Sequence, residues 1–125
     1  VGNCPFCSDV VNKSFLSKEG VFAIYSLYPV TEGHSLVIPV SHVETMRDLA
    51  SHEMQTTMQL ANDVMNRLSE EDDTITGFNV GWNVGRSAGQ TVMHCHLHVI
   101  PRRDGDVADP TGGIRNVIPG KGNYL

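Results

Sequence analysis

The sequence lacks a long apolar run and has little positive charge. None of its 125 residues belongs to a stretch of roughly 18 apolar residues, the length that a membrane-spanning helix needs. Nine Lys and Arg against fourteen Asp and Glu give a formal charge of −5, which disfavours non-specific binding of long nucleic acid. We therefore expect a soluble protein with no membrane and no long nucleic acid as partner. A small anion could still bind where local groups oppose the net charge.

Cysteine is also scarce, and no targeting segment is evident. Val1 to Asn3 show no basic stretch followed by an apolar one, so a secretory signal is not expected and a cytoplasmic location is. Two of the three cysteines form Cys4-Pro5-Phe6-Cys7. In a reducing compartment such a pair is more often a metal clip or a redox motif than a structural disulfide. Length and composition, with 40% apolar residues, predict one domain over residues 1–125.

The first half of the chain shows two strand patterns and one helix pattern. Residues 21–28 and 35–38 are rich in β-branched and aromatic residues, and Pro29 and Gly33 separate them, which predicts two neighbouring strands. Apolar residues then recur four and three apart, which predicts a long helix that Ser51 caps and residues 70–73 end. The predicted buried stripe of this helix consists of Met54, Met58, Ala61, Met65 and Leu68.

The second half predicts two further strands and an irregular tail. Residues 78–82 and 91–100 have strand composition, and the Gly-rich residues 85–89 form a loop between them. Residues 104–125 are rich in Gly and Pro, so we expect them to be largely irregular. Four apolar residues could anchor this tail on the body of the protein: Ile114, Val117, Ile118 and Tyr124.

Three histidines alternate with apolar residues in the last predicted strand. On a strand of period two, His94, His96 and His98 project from one face, about 6.6 Å apart at ~3.3 Å per residue. Packing does not require this arrangement, because a buried strand face ordinarily takes Val or Ile. A chemical role is therefore indicated. Alternating histidines also bind zinc in unrelated hydrolases and lyases, and the spacing alone does not separate a metal site from metal-free catalysis.

The residues around the three histidines are similar to those of a known family. These residues are Gly33-His34, Leu36-Val37-Ile38-Pro39 with His42 behind it, Asn83, Gly89-Gln90-Thr91-Val92 and Ile100-Pro101-Arg102. From Cys4 to Arg103 the chain resembles the histidine-triad family of nucleotide hydrolases and transferases. Gly105-Asp106 and residues 112–119 resemble the diadenosine-polyphosphate hydrolase branch more than the adenosine phosphoramidase branch.

The resemblance implies a fold and a reaction. The fold is α+β, an antiparallel sheet of about five strands with one long helix packed on it, in a chain that forms a homodimer. The reaction cleaves a phosphoanhydride at the α-phosphate of a dinucleoside polyphosphate such as diadenosine tetraphosphate. It passes through a nucleotidyl-histidine intermediate and releases a nucleoside monophosphate, with an adenine nucleotide as the expected substrate and no organic cofactor.

The resemblance also implies residue roles. His96 is the nucleophile and His98 contacts the α-phosphate, so that the catalytic set is His96, His98, Gln90 and His94. The substrate-binding set is Asn83, Thr91, His34 and Ser26. Gln90 and Thr91 are expected on phosphate or bridging oxygens, although both could merely cap the strand. Ser26 departs from the family, which usually presents Asn or Asp to the ribose. The expected apolar base pocket, or equally plain core, is Phe6, Phe22, Ile24 and Leu36.

A second site is predicted at the cysteine pair. Cys4 and Cys7 are spaced for zinc, which usually needs two further ligands. In relatives with such a pair two histidines complete the site, and the matching residues here are His42 and His94. The resemblance thus implies a structural zinc, with His94 held away from nucleophilic work. The alternative is that both cysteines are free thiols.

Three alternatives stay open at this point. The fold could act instead as an adenosine phosphoramidase on amine- or aminoacyl-linked adenylates. It could be a non-catalytic nucleotide-binding sensor, although His96 is intact. Lastly, the three triad histidines could hold a catalytic metal ion.

Overall fold

The structure is a computed structural model that describes residues 3–125. Val1 and Gly2 lie outside the described residues, and so does the prediction made on them. The helix and strands are β1 (Leu16–Lys18), β2 (Val21–Tyr25), β3 (Ser35–Pro39), α1 (Ser51–Glu71), β4 (Ile75–Gly81) and β5 (Leu97–Arg103). Short 3-10 helices cover Asp9–Lys13, Met46–Asp48, Arg86–Ala88 and Gly113–Val117. In this described part of the chain, no helix has the length and apolarity required to cross a membrane.

The five strands form one antiparallel sheet in the order β1-β2-β3-β5-β4. Because β5 pairs with both β3 and β4, the strand that carries His98 lies inside the sheet rather than at an edge. Helix α1 packs across the sheet and contacts all five strands. The predicted α+β architecture, with a sheet of about five strands and one long helix, is confirmed.

Two apolar clusters lie on opposite faces of the sheet, as the period-two alternation of β2 and β3 requires. The helix-side cluster contains Val21, Ala23, Val37, Leu60, Ala61, Val64, Leu68, Leu97 and Val99. The second cluster contains Phe22, Ile24, Leu36 and Ile38, and Phe6 and Val10 from the N-terminal segment pack against it. The N-terminal segment therefore covers the β2–β3 part of the second face.

The buried face of α1 differs from the predicted stripe. Its buried residues are Thr56, Thr57, Leu60, Ala61, Val64 and Leu68, whereas Met58 is 47% exposed. Met58 lies two residues from Leu60, which is about 200° of helix rotation, so both cannot face the sheet. The placement of Met58 in the stripe was wrong. Ser51 is the first residue of the helix rather than its cap, and the preceding Ala50 N–H donates to the Glu53 carboxylate at 3.0 Å.

The last strand begins later than predicted. Strand β5 starts at Leu97, and residues 91–96 have no strand structure, so the predicted strand over residues 91–100 was wrong in its first six positions. Pairing of β3 with β5 ends at Val37 with Leu97. Before that point the chain is held instead by the Cys95 N–H, which donates to the Val43 carbonyl at 2.7 Å.

The tail after Arg103 is irregular apart from the 3-10 helix Gly113–Val117, in agreement with the prediction. Its predicted apolar anchors are wrong, because the exposed fractions of all four residues lie between 59% and 75%. The tail instead forms hydrogen bonds within itself: Arg115 donates to the Lys121 carbonyl at 3.1 Å, and Asn123 donates to Asp109 at 2.9 Å. These bonds stabilise the conformation of the tail without burial of the four apolar side chains.

Candidate active site and metal cluster

The three triad histidines occupy different environments. His94 is fully buried, while His96 and His98 are partly exposed, with ring centroids 5.2 Å apart. The residues that alternate with the three histidines are Cys95, Leu97 and Val99, and all three are buried, as the alternation predicts. Because only His98 lies on β5 itself, the loop ahead of the strand sets the positions of the other two rings.

The ring of His96 is oriented by the main chain. Its Nδ1–H donates to the His94 carbonyl at 2.7 Å, because a carbonyl oxygen can only accept. The Nε2 atom of a neutral imidazole then keeps its lone pair. Burial lowers the pKa of His96 below its ordinary value, which favours this neutral form. A neutral imidazole with a free Nε2 lone pair is what nucleophilic attack requires.

His98 is oriented by a chain of hydrogen bonds through His34. The Val30 N–H donates to His34 Nδ1 at 3.1 Å, so the proton of neutral His34 lies on Nε2. That Nε2–H donates to His98 Nδ1 at 3.0 Å, which leaves the Nε2–H of His98 as a donor. Burial, with smaller effects from His96 and His34, lowers the pKa of His98 to about 4. The site is thus built to offer a neutral N–H at His98.

Gly33 allows His34 to reach this position. Its φ of +92° lies in the left-handed region, and an added Cβ would lie 3.2 Å from Cγ of Pro101. The same loop is tied to β5 by Thr31, whose hydroxyl donates to the Pro101 carbonyl at 2.7 Å. A side chain at position 33 would therefore disturb both the turn and the placement of His34.

A cavity of about 270 Å³ lies beside the rings of His34 and His98, close to the lower end of the ~300–1,000 Å³ typical of small-molecule sites. It collects three of the predicted site residues, His34, His98 and Asn83. The remaining lining residues are Val30, Asn79, Val80, Gly81, Trp82, Ile100, Ile114 and Val117. Sequence reasoning did not assign Ile100 to this wall, although it follows His98 by two residues and so shares its face. The tail contributes Ile114 and Val117, so it bounds the cavity.

Two other predicted substrate residues lie outside this cavity. Thr91 lines a separate hollow with Cys4 and His42. Ser26 lines a groove near the end of α1, and its hydroxyl accepts the Tyr28 N–H at 3.2 Å. His34 lines this groove as well, and the Ser26 N–H donates to the His34 carbonyl at 2.9 Å. Ser26 is thus a neighbour of His34 but not of the cavity with His98 and Asn83, and the contacts of Thr91 and Ser26 with substrate stay predictions.

The buried side chain of Gln90 is engaged by the main chain. Its Oε1 accepts the Gly85 N–H at 2.9 Å, and its Nε2 donates to the carbonyls of Glu44 at 2.7 Å and Val92 at 3.2 Å. It thereby joins the Gly-rich loop, the segment after His42 and the segment before His94. A phosphate contact by Gln90, as predicted, would need some of these bonds to be exchanged.

The expected base-pocket residues belong to the second apolar cluster. Phe22, Ile24 and Leu36 are all less than 8% exposed, as core residues are. Phe6 differs, because its ring packs edge-on against His96 with ring centroids 5.1 Å apart. Phe6 thus contacts His96, and Leu36 lies opposite His98 in the pair of β3 with β5.

Cys4, Cys7, His42 and His94 form one cluster, as predicted. Their ligand atoms all lie within 4.8 Å of one another, and this group could hold a metal ion. Nδ1 of His94 lies 3.1 Å from Nδ1 of His42 and 3.4 Å from each of the two sulfurs, and Cys7 Sγ lies 3.0 Å from Nδ1 of His42. Tetrahedral zinc with bonds of about 2.0 to 2.3 Å has ligand-to-ligand distances of about 3.3 to 3.8 Å, so little adjustment is needed.

The hydrogen bonding of the His94 ring also suits a role as a metal ligand. Its Nε2–H donates to the Pro39 carbonyl at 2.8 Å, so a neutral ring has its lone pair at Nδ1, inside the cluster. A carbonyl partner on the far nitrogen is the usual outer contact of a metal-binding histidine. The four side chains therefore fit a zinc ion chemically. His96 and His98 are not in this cluster, so within residues 3–125 the geometry does not favour a metal held by all three triad histidines.

Comparison with known proteins identifies the family. The family model for the HIT domain matches residues 9–105, which is more than half of the chain. The chain belongs to the HIT domain family. The family assignment made from the triad and its flanks is therefore confirmed.

HIT relatives are similar in sequence over most of this chain. "AP-4-A phosphorylase" of Mycobacterium tuberculosis is 42% identical over 105 residues, covering 79% of this chain and 51% of that protein. "Protein hit" of Bacillus subtilis is 33% identical over 104 residues, covering 80% and 71%. The chain thus spans about half the length of the first relative.

Solved HIT structures share the fold. A hypothetical histidine triad nucleotide-binding protein from Sulfolobus tokodaii has a TM-score of 0.76 at 32% identity, over 82% of this chain and 71% of the other. A Zn-bound histidine triad family protein from Mycobacterium smegmatis also has a TM-score of 0.76 at 32% identity, over 86% and 81%. The second of these shows that a protein of this fold can bind zinc.

Proposed function

We propose that this HIT protein cleaves a phosphoanhydride at the α-phosphate of dinucleoside polyphosphates such as diadenosine tetraphosphate. The observation that carries the proposal is the anchored His96, whose Nδ1–H bond to the His94 carbonyl leaves Nε2 free beside the donor His98. The name of the relative at 42% identity supports a dinucleoside polyphosphate over other nucleotide conjugates.

The proposed reaction has two displacements. Nε2 of His96 attacks the α-phosphorus while the bond from that phosphorus to the bridging oxygen breaks, and the leaving oxygen departs with the rest of the polyphosphate. Water then attacks the same phosphorus, the bond to Nε2 breaks, and one proton of the water passes to solvent. A nucleoside monophosphate leaves, and His96 returns to its neutral state.

The other site residues act by hydrogen bonding. The Nε2–H of His98 donates to a non-bridging oxygen of the α-phosphate, where negative charge grows in the transition state. His34 positions His98, and Asn83 offers an amide at the rim of the same cavity. His94 acts through its main-chain carbonyl rather than through its ring.

We also propose that Cys4, Cys7, His42 and His94 hold a structural zinc. Four protein ligands close such a site, so its contribution is to cross-link three segments of the chain rather than to activate water. The zinc bound by the Mycobacterium smegmatis relative supports this choice of metal. No organic cofactor is needed for the proposed chemistry, and the cytoplasmic location stays a prediction.

The family resemblance implied a homodimer, and we retain it as a proposal. Strand β4 is an edge of the sheet, and seven-residue edges offer unpaired main-chain groups to a second strand. Exposed apolar residues of the tail, including Ile118 and Tyr124, support burial by a second chain. Sedimentation should give twice the 13.7 kDa mass of one chain, and a single-chain mass at micromolar concentration would exclude the dimer.

Product analysis tests the proposed reaction. Purified protein is mixed with diadenosine tetraphosphate or with an adenosine phosphoramidate, with and without inorganic phosphate, and the products are separated by chromatography. We expect AMP and ATP from the first substrate. Formation of ADP with added phosphate would identify phosphate, rather than water, as the acceptor. Preferred turnover of the phosphoramidate would instead establish the phosphoramidase alternative.

Two histidine variants make the test specific. His96→Ala should lose about a thousandfold or more in turnover, because it removes the proposed nucleophile that forms the covalent intermediate. His52→Ala is the matched control, since His52 is exposed at the start of α1 and belongs neither to the lining of the cavity nor to the metal cluster, and it should retain full activity. Nucleotide binding without turnover of either substrate would favour the sensor alternative.

A further inference from the structure

One aromatic side chain connects the cluster of Cys4, Cys7, His42 and His94 to the proposed active site. Phe6 lies between Cys4 and Cys7 in the sequence, and its ring is in edge-on contact with His96, at 5.1 Å between centroids and 69° between planes. It is also edge-on to His94, at 6.0 Å and 86°. Edge-to-face pairs at this separation are attractive, so Phe6 restricts the motion of the proposed nucleophile.

Few other contacts hold this part of the chain in place. Between residues 3–8 and the rest of the described protein, the hydrogen bonds all involve the sulfur atoms of Cys4 and Cys7. The remaining main-chain bond, from the Cys7 N–H to the Cys4 carbonyl, is local. Packing of the half-buried Phe6 and Val10 on the second apolar cluster completes the attachment. Without the cluster, Phe6 would be held by apolar contact alone.

His94 joins the same two sites through a different part of the residue. Its Nδ1 belongs to the metal cluster, while its main-chain carbonyl accepts the Nδ1–H of His96. The Nε2–H bond to the Pro39 carbonyl fixes the ring against β3. A ligand bond at Nδ1 of His94 would therefore restrain the His96 imidazole through the His94 main chain, and the packing of Phe6 restrains the same imidazole directly.

We propose that metal binding at Cys4, Cys7, His42 and His94 controls the nucleotide site by holding Phe6 against His96. The inference rests on the proposed function, because it concerns the nucleotide affinity and the nucleophile of that site. The metal takes no part in the chemistry. Its removal releases residues 4–7, withdraws the Phe6 ring and leaves one side of His96 open to solvent.

A structural measurement tests the coupling without any nucleotide. Full-length protein is stripped with a chelator and titrated with Zn²⁺ alone, and ring-to-ring nuclear Overhauser effects between Phe6 and His96 are recorded. We expect them to appear as one equivalent of zinc binds and to vanish again on chelation, while the methyl signals of Leu60 and Val64 in the helix-side cluster stay unchanged. Signals that persist in the zinc-free protein, or failure to bind one equivalent, would overturn the proposal.

Binding of AMP tests the consequence for the site. Removal of zinc, or the double change Cys4→Ser with Cys7→Ser, should weaken AMP binding about three- to tenfold. This is the range expected for loss of the aromatic contact between Phe6 and His96. Phe6→Leu should still bind one zinc, show the same weakening, and lose the response to zinc, because both changes act through one contact. Phe15→Leu is the matched control, since Phe15 packs on the helix-side cluster, and it should keep the wild-type response.

The outcomes separate this inference from the proposed function. If zinc removal and Phe6→Leu weaken AMP binding additively, the metal acts on the site by a route other than Phe6. An AMP affinity within twofold of wild type after zinc removal would also contradict the coupling. If zinc restores the signals between Phe6 and His96 but the zinc-bound protein binds no AMP, the effect of zinc on Phe6 is supported and the proposed function is contradicted.

Discussion

At the scale of single residues, histidine serves several purposes here because its two ring nitrogens have different hydrogen-bond partners at each position. In His96 the main chain takes Nδ1 and leaves Nε2 with a lone pair, whereas in His98 an acceptor position is filled by His34 and an N–H remains. In His94 a carbonyl takes Nε2 and leaves Nδ1 for the metal cluster. The roles proposed for the triad therefore follow from the acceptors and donors around each ring.

The pair of His34 and His98 gives the first prediction. His34→Leu removes the N–H that fixes His98, so the His98 ring can turn and present a lone pair to the phosphate. We expect kcat to fall about tenfold while KM changes less than twofold, since the lost bond matters most in the transition state. His34→Gln keeps an N–H donor and should restore much of kcat. Equal losses in both variants would argue against a positioning role.

The second prediction concerns Gln90. Gln90→Glu replaces the Nε2 donor of a buried side chain with an oxygen that faces the carbonyls of Glu44 and Val92, so both main-chain acceptors lose their partner. Unfolding in urea should show a loss of about 2 to 3 kcal/mol. Thr91→Val, at an exposed neighbouring position, is the control and should change the free energy of unfolding by less than about 0.5 kcal/mol. Unchanged stability of Gln90→Glu would show that the main-chain bonds of Gln90 are dispensable.

At the scale of elements, helix α1 and strand β5 show where periodicity succeeds and where it fails. The apolar spacing predicted the helix correctly, but several phases of the stripe fit the sequence, and the sheet selected the one centred on Leu60, Ala61 and Val64. In β5 the alternation continues through His94, yet the strand begins at Leu97. Alternation of side chains is necessary for a strand, but pairing with a neighbour decides where it starts.

The helix gives the third prediction. Leu60→Ala leaves a cavity against the sheet, because Leu60 is 1% exposed, and should lower the free energy of unfolding by about 2 to 5 kcal/mol. Met58→Ala, on the opposite side of the same helix, should lower it by less than about 0.5 kcal/mol. Chemical denaturation of both variants checks the assignment. A larger loss in Met58→Ala would restore the stripe predicted from the sequence.

At the scale of the whole molecule, stability toward acid depends on groups whose pKa is lower in the folded protein than in the unfolded chain. Burial lowers the pKa of His98 to about 4 and also lowers that of His34. At the surface, Arg103 and Thr74 lower the pKa of Asp72 to about 2. Both kinds of group bind protons more readily in the unfolded chain, so acid favours unfolding in both cases.

The fourth prediction is the pH dependence of stability. The contribution of His98 is fully present above its ordinary pKa of 6.5 and should be lost as the pH falls toward 4. The contribution of Asp72 is present above 3.8 and should be lost between 3.8 and about 2. Urea midpoints should therefore be level above pH 7 and decline in two stages below it. His98→Asn should reduce the first stage, and Asp72→Asn the second. A midpoint that rises between pH 7 and pH 5 would contradict this reasoning.

The sequence by itself determined the fold class, the long helix, the metal-cluster residues and the central triad, because each depends on residue type at a short or family-specific spacing. His96 and the four residues of the metal cluster were named from such patterns, and the single-domain organisation stays a prediction of the same kind. Local spacing records which side chains share a face. It does not record what lies opposite that face.

Only the tertiary structure decided how these residues are paired. The bond from His34 to His98 and the contact of Phe6 with His96 join positions 64 and 90 residues apart. The main-chain partners of Gln90 and the start of β5 likewise depend on segments that approach after folding. These pairings form because buried donors and acceptors need partners. Which partner each group finds depends on proximity in the folded chain, and a sequence pattern does not give that proximity.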